Sequence, residues 1–288
     1  MRWEGGRRSG NIEDRRGRGM GGAGMRVGGL GMVVIFVLAL ILGVNPLQLM
    51  DMMGGAPAPT QVSVPQSAPG AAKPADPAAD FVSVILADTE DTWSQIFAQG
   101  GARYEAPRLV LFEQATRSAC GVGQAAMGPF YCPADGKVYL DLSFFRELDR
   151  RFGAPGDFAQ AYVVAHEVGH HVQNLLGIAP KVHEMMQRVS REQANDLSVR
   201  LELQADCLAG VWAHHAHRQR QLLEAGDVEE GLRAAAAIGD DTIQRRTQGH
   251  IVPEAWTHGS SEQRVRWFKR GMTTGQVNAC DTFQAASL

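Results

Sequence analysis

Between Asp157 and Pro180 the chain carries a helix-length apolar pattern with His166-Glu167-Val168-Gly169-His170 at its centre. Residues four apart on a helix share a face, so His166 and His170 can aim two imidazoles at one point while Glu167 stands at its rim. Asp157 and Gln160 have the spacing of an N-cap and its capping-box partner, and Gly177, Ile178 and Pro180 read as a stop. The spacing predicts a helix of about 20 residues. Val164, Val168, Val172 and Leu175 form its apolar stripe, which fixes the helix in a core and turns the histidines elsewhere. Surface histidines on an amphipathic helix are the bland alternative. The His-Glu-x-x-His pattern is the arrangement of zinc hydrolases.

Two imidazoles do not complete a catalytic zinc site, which uses three protein ligands and keeps a position for water. A third histidine six residues after His170 is excluded, because that position is Leu176. Two downstream segments offer a glutamate followed four residues later by an aspartate: Glu192 with Asp196, and Glu202 with Asp206. Spacing alone does not separate them. Glu202 lies in the largely apolar run Leu201 to Trp212, where a carboxylate needs a reason to be buried, whereas Glu192 lies in a polar stretch that reads as a solvated helix start. Glu202 is therefore the expected third ligand. Asp206, one turn on, is expected to accept the free ring N–H of a metal-bound histidine. The competing reading is an internal ion pair of these carboxylates with Arg200 or another base.

The roles imply a mechanism in which Glu167 takes a proton from a zinc-activated water and passes it to a leaving amine. A further donor to the developing oxyanion is needed. His258 is the candidate, in a loop just before a helix that Ser260 and Gln263 would cap; a plain surface histidine is the alternative.

The first 26 residues hold seven arginines against three acidic residues, and Val27 to Val44 is an uncharged apolar run. Such a run can just span a bilayer, with its basic flank on the cytoplasmic side and everything after it outside. A cleaved signal peptide is the alternative; the basic region is long for one and Pro46 to Met50 offers no convincing small-x-small site, while Ala56-Pro57-Ala58 weakly resembles one. Residues 46 to 79 contain seven of the thirteen prolines and read as a tether. The expected layout is a basic cytoplasmic tail over 1–26, a transmembrane helix over 27–45, a linker over 46–79 and a catalytic domain over 80–288. This places the protein in the bacterial inner membrane as a single-pass protein, its N-terminus cytoplasmic and its domain extracytoplasmic. The formal net charge of −3 gives no sign of nucleic-acid binding.

All four cysteines lie in the last domain and none are spaced as CxxC. An oxidising compartment favours disulfides, with Cys120–Cys132 closing a short loop and Cys207–Cys280 tying the C-terminal tail to the helix of Glu202; free buried thiols are the alternative. Coarsely, 81–99 reads as a helix, 108–112 as a strand and 130–142 as a β-hairpin. Helices are then expected over the motif and over about 195–222, 228–246 and 262–271. Many helices and few strands mean an α+β fold. An exposed edge of the small sheet could hold an extended peptide by β-augmentation.

The chain resembles the neutral zinc metallopeptidase family of bacteria, membrane-anchored zincin-like proteins. The likeness runs over Met1 to Gly5 with Glu13 to Gly17, over Gly128 to Asp135, and over Val138 to Phe145. It continues through His166 to Gln173, Glu202 to Cys207 and Thr257 to Ser260. By likeness to Glu-zincins it implies one catalytic zinc ion on His166, His170 and Glu202, with Glu167 as base. It also adds weight to His258, and implies a protein or peptide substrate. The functional classes in play are an endopeptidase of envelope proteins, a zinc amidase of another amide such as a peptidoglycan cross-link, and an inactive binding or assembly factor with a structural zinc.

Overall fold

The computed structural model describes residues 1–17, 76–124 and 128–288. The expected anchor over 27–45, and the linker up to residue 75, lie outside the described residues. Among the described residues no helix is long and apolar enough to cross a membrane.

The chain opens with a three-residue strand, β1 (Ile12–Asp14), and after the undescribed segment forms α1 (Pro77–Gln99). Asp76 caps α1 by accepting from the amides of Ala78 and Ala79. Strands β2 (Arg108–Phe112), β3 (Ala115–Ser118), β4 (Gly121–Gln124), β5 (Phe130–Cys132) and β6 (Lys137–Asp141) follow. The helices are then α2 (Ser143–Arg150), α3 (Asp157–Leu175), α4 (Ile178–Met186), α5 (Arg191–Arg220), α6 (Asp227–Ala237), α7 (Asp240–Gln248) and α8 (Ser261–Thr274). The fold is mixed α+β.

The main sheet has the order β1-β2-β6-β5, parallel except for β5, which runs antiparallel at one edge. Strand alternation sorts its side chains. Leu109, Leu111, Val138 and Leu140 face the main core, while Val110, Phe112, Cys132 and Tyr139 form a smaller cluster on the other face. The β3–β4 hairpin is tied to β5 by the Cys120–Cys132 disulfide.

The helices pack around α3 and α5. Gly210 of α5 and Gly271 of α8 sit where these helices cross; a Cβ on Gly271 would lie 1.9 Å from the Cys207 carbonyl oxygen, so only glycine permits the approach. The Cys207–Cys280 disulfide fastens the tail beside that crossing. Both expected disulfides are therefore present.

Four expectations are corrected. First, the described part of the expected tail does not stand apart from the domain: Met1 to Gly17 are built into the same unit as residues 76–288. Strand β1 pairs with β2, Met1 is buried in the main core, and Trp3 packs edge-on to Phe81. Second, the N-cap of α3 is Gly156, without a capping side chain. Asp157 instead pairs with the Met1 amine at 2.9 Å, and the Phe158 amide is satisfied by Glu230 of α6 at 3.2 Å. Third, the helix expected over 228–246 breaks at Ile238–Gly239, because the start of α8 comes so close that a Cβ on Gly239 would meet the Ser261 nitrogen at 2.4 Å. Fourth, the long helix begins at Arg191 rather than near 195, held by a Ser190–Gln193 capping box.

Candidate metal centre

Helix α3 meets α5 at Gly169, where a Cβ would lie 3.0 Å from the Ala205 carbonyl oxygen and 3.2 Å from its Cα. This close contact brings the face carrying His166 and His170 against the face carrying Glu202 and Asp206. His166 Nε2 is 3.2 Å from one oxygen of Glu202 and His170 Nε2 is 3.5 Å from the other. All three residues offer a ligand atom within 4.8 Å of the others. Tetrahedral ligands about 2.0–2.1 Å from a zinc ion lie roughly 3.3 Å apart, so these separations fit a shared cation.

The opposite ring nitrogens are both held. His166 Nδ1 donates to Asp206 Oδ1 at 2.9 Å, and His170 Nδ1 donates to Gln173 Oε1 at 2.9 Å. Nε2 of each ring is thereby the nitrogen turned to Glu202, and it is the one that would give up its proton to a bound metal ion, with Nδ1–H kept by its acceptor. Gln173 is itself fixed by donating to the Leu201 carbonyl at 2.7 Å and to Gln204 at 3.1 Å. It stands three residues after His170, on the same helical face, and that spacing was the available signal.

Asp206 is fully buried and receives both Nε and Nη2 of Arg264, at 2.8 and 2.9 Å, as well as the Tyr162 hydroxyl. The competing reading of an internal ion pair thus holds for Asp206 alongside its bond to His166, with Arg264 as the base. Arg200 is engaged elsewhere, with Asp196 and the Thr282 carbonyl. Glu192 is exposed in the first turn of α5 and takes no part. Arg264 and Tyr162, both buried, gave no sequence signal, since they come from α8 and α3 and meet only through packing.

The charges follow the burial. Burial alone would keep His166 neutral, but the adjacent Asp206 and Glu202 carboxylates outweigh it and raise its pKa to about 10. Glu202 is lowered against the opposing effect of burial, chiefly by His170 and His166. Glu167 is buried at the cleft and its pKa is raised, by burial first, with the neighbouring histidines pulling the other way.

His258 lines the same cleft, about half exposed, at the mouth formed by α7 and the loop before α8. Asp240 at the start of α7 gathers that loop: its Oδ2 accepts from the amides of Thr257, His258 and Gly259 at 2.7, 2.6 and 3.1 Å. Its Oδ1 lies 3.2 Å from His258 Nδ1. The bond to Asp240 is the main reason the His258 pKa is raised, with Glu202 adding to it and burial opposing. The cleft has a volume of about 1020 Å³ and also includes Phe130 and Tyr131 of β5, Phe144 of α2 and Ile243 of α7.

The remaining histidine of the motif, His171, faces the other way. It donates to the Glu105 carbonyl at 2.6 Å and accepts from the Tyr131 hydroxyl at 3.1 Å, and Asn174 donates to that same hydroxyl. Burial lowers its pKa, which suits the neutral ring this chain of bonds needs. The edge strand β5 is thus pinned beside the motif helix.

Two imidazoles and a carboxylate, with a buried glutamate next to the first imidazole, form a candidate zinc-hydrolase centre. The comparison with known families agrees: the model of the family described as "Putative neutral zinc metallopeptidase" matches residues 1–283, and the chain belongs to that family. It is 51% identical over 288 residues to "Uncharacterized protein YpfJ" of Escherichia coli strain K12, covering 98% of this chain and 99% of that protein. It is 46% identical over 195 residues to "Uncharacterized protein Rv2575" of Mycobacterium tuberculosis strain H37Rv, covering 64% of this chain and 65% of that protein. No solved structure matches the chain.

Proposed function

We propose that the protein is a zinc-dependent peptidase of the Glu-zincin kind, acting on peptide bonds of extracytoplasmic proteins. The observation that carries the reading is the convergence of His166, His170 and Glu202 ligand atoms within 4.8 Å, on a cleft that Glu167 also lines. His166, His170 and Glu202 would hold one zinc ion. Bound there, zinc supplies Lewis-acid polarisation and brings the pKa of a water towards about 7.

The chain's own groups do the rest. Glu167 accepts the proton of the attacking water, its raised pKa making it a better base than an exposed carboxylate, and delivers it to the leaving amine. His258, whose pKa the bond to Asp240 raises, donates to the oxygen of the attacked carbonyl. Asp206 and Gln173 fix the two ligand rings. Strand β5 borders the cleft at the sheet edge, and an extended substrate backbone can pair along it. The two disulfides support an oxidising, extracytoplasmic setting for the catalytic unit.

Hydrolysis of quenched fluorescent peptides by the purified chain tests this, with zinc content measured in parallel. Glu167→Gln is expected to lower turnover by roughly 10²–10⁴-fold at unchanged zinc content. Peptide hydrolysis that survives both this substitution and chelation would overturn the proposal.

A further inference from the structure

Residues 1–17 are woven into the catalytic unit at many points. Strand β1 hydrogen-bonds to β2 as an edge strand, and Arg15 N continues the pairing to the Leu111 carbonyl. Ser9 and Asn11 both donate to Glu90 of α1, at 2.5 and 2.8 Å. Gly6 lies so close to Val84 that a Cβ there would meet the valine at 2.5 Å. The arginines that would mark a cytoplasmic flank are already paired: Arg2 with Glu224, Arg7 with Glu90 and Asp91, Arg8 with Asp80, Arg15 with Glu13, and Arg16 with Asp14. Five of the seven arginines in the first 26 residues therefore neutralise carboxylates of this unit rather than forming a free positive flank.

Arg16 also pairs with Asp76, so the chain leaves the unit and re-enters it at the same place. A strand and the sheet it belongs to lie on one side of any bilayer. The excursion between these points must then cross a membrane an even number of times. Its sequence holds one uncharged apolar run, Val27 to Val44, long enough for a single crossing, whereas two crossings need about 40 apolar residues.

From this we infer that residues 1–17 share one side of the membrane with the catalytic unit. The orientation with a cytoplasmic N-terminus and an external catalytic domain is incompatible with this fold. Impermeant maleimide labelling of full-length protein in right-side-out membrane vesicles tests the inference, the four native cysteines being held in disulfides. Gly10→Cys reports the N-terminal segment and Met185→Cys the catalytic unit; both positions are exposed and a Cβ at Gly10 meets nothing within 4 Å. Gly5→Cys, equally open, repeats the N-terminal measurement should Gly10→Cys fail to accumulate. Equal labelling at both ends, whether before or only after detergent, is expected. Labelling of one end before detergent and of the other only afterwards would overturn the inference.

Discussion

At the scale of single residues, the site depends on groups that hold other groups. Asp240 touches neither the proposed ligands nor the base, yet it fixes His258 through three backbone amides and one ring nitrogen. A His258 whose pKa is raised stays cationic further into the alkaline range, so activity that needs its N–H is lost only as pH climbs through that raised value. Asp240→Asn is expected to move the alkaline limb of kcat/KM to lower pH; an unmoved limb would remove His258 from the mechanism. Gln173→Leu leaves His170 Nδ1 without its acceptor and is expected to weaken zinc binding about 10–100-fold, read by competition with a chelating dye. His166, His170 and Glu167 were legible because a four-residue spacing is a local property of a helix. Glu202 was legible from the apolar run around it. Gln173, Asp240, Arg264 and Tyr162 act through contacts between elements, which spacing does not report.

At the scale of elements, the motif helix is held from outside itself. In its first turn the Phe158 amide donates to Glu230, and Asp157 accepts from the Met1 amine instead of capping, so the local capping pattern of Asp157 and Gln160 was overruled by packing. The same competition split the helix expected over 228–246, where local sequence permits continuation but the start of α8 does not. Strand β1 was missed altogether, because three residues in a basic stretch carry no periodic signal. Its hold on the sheet has a pH signature. The Arg15 hydrogen bond, opposed by burial and helped by Lys137, lowers the Glu13 pKa from 4.5 to about 2. A depressed carboxylate stabilises the fold above its unfolded pKa and ceases to as pH falls through the folded one. The protection factors of the amides of residues 12–14, taken against intrinsic exchange at each pH, are therefore expected to fall between about pH 4.5 and 2, and Glu13→Gln to flatten that dependence. The Cys207–Cys280 bridge closes a sequence separation of 73 residues, and its replacement by two serines is expected to cost about 4 kcal/mol in chemical denaturation.

At the scale of the whole molecule, the mixed α+β class and both disulfides were readable, since composition, periodicity and cysteine positions are summed along the chain. The partition into tail and domain was not, because the first seventeen residues join a sheet whose other strands begin at residue 108. A second group of acidic side chains, Asp157, Asp227 and Glu230, offers ligand atoms as close together as the first, but Asp157 and Asp227 face the Met1 amine. The two groups make the central claim directly measurable by anomalous scattering at the zinc edge from crystals grown with zinc. The account predicts one full peak among His166 Nε2, His170 Nε2 and the Glu202 carboxylate. A peak at the Asp157 group, or no ordered zinc beside His166 and His170, would contradict it.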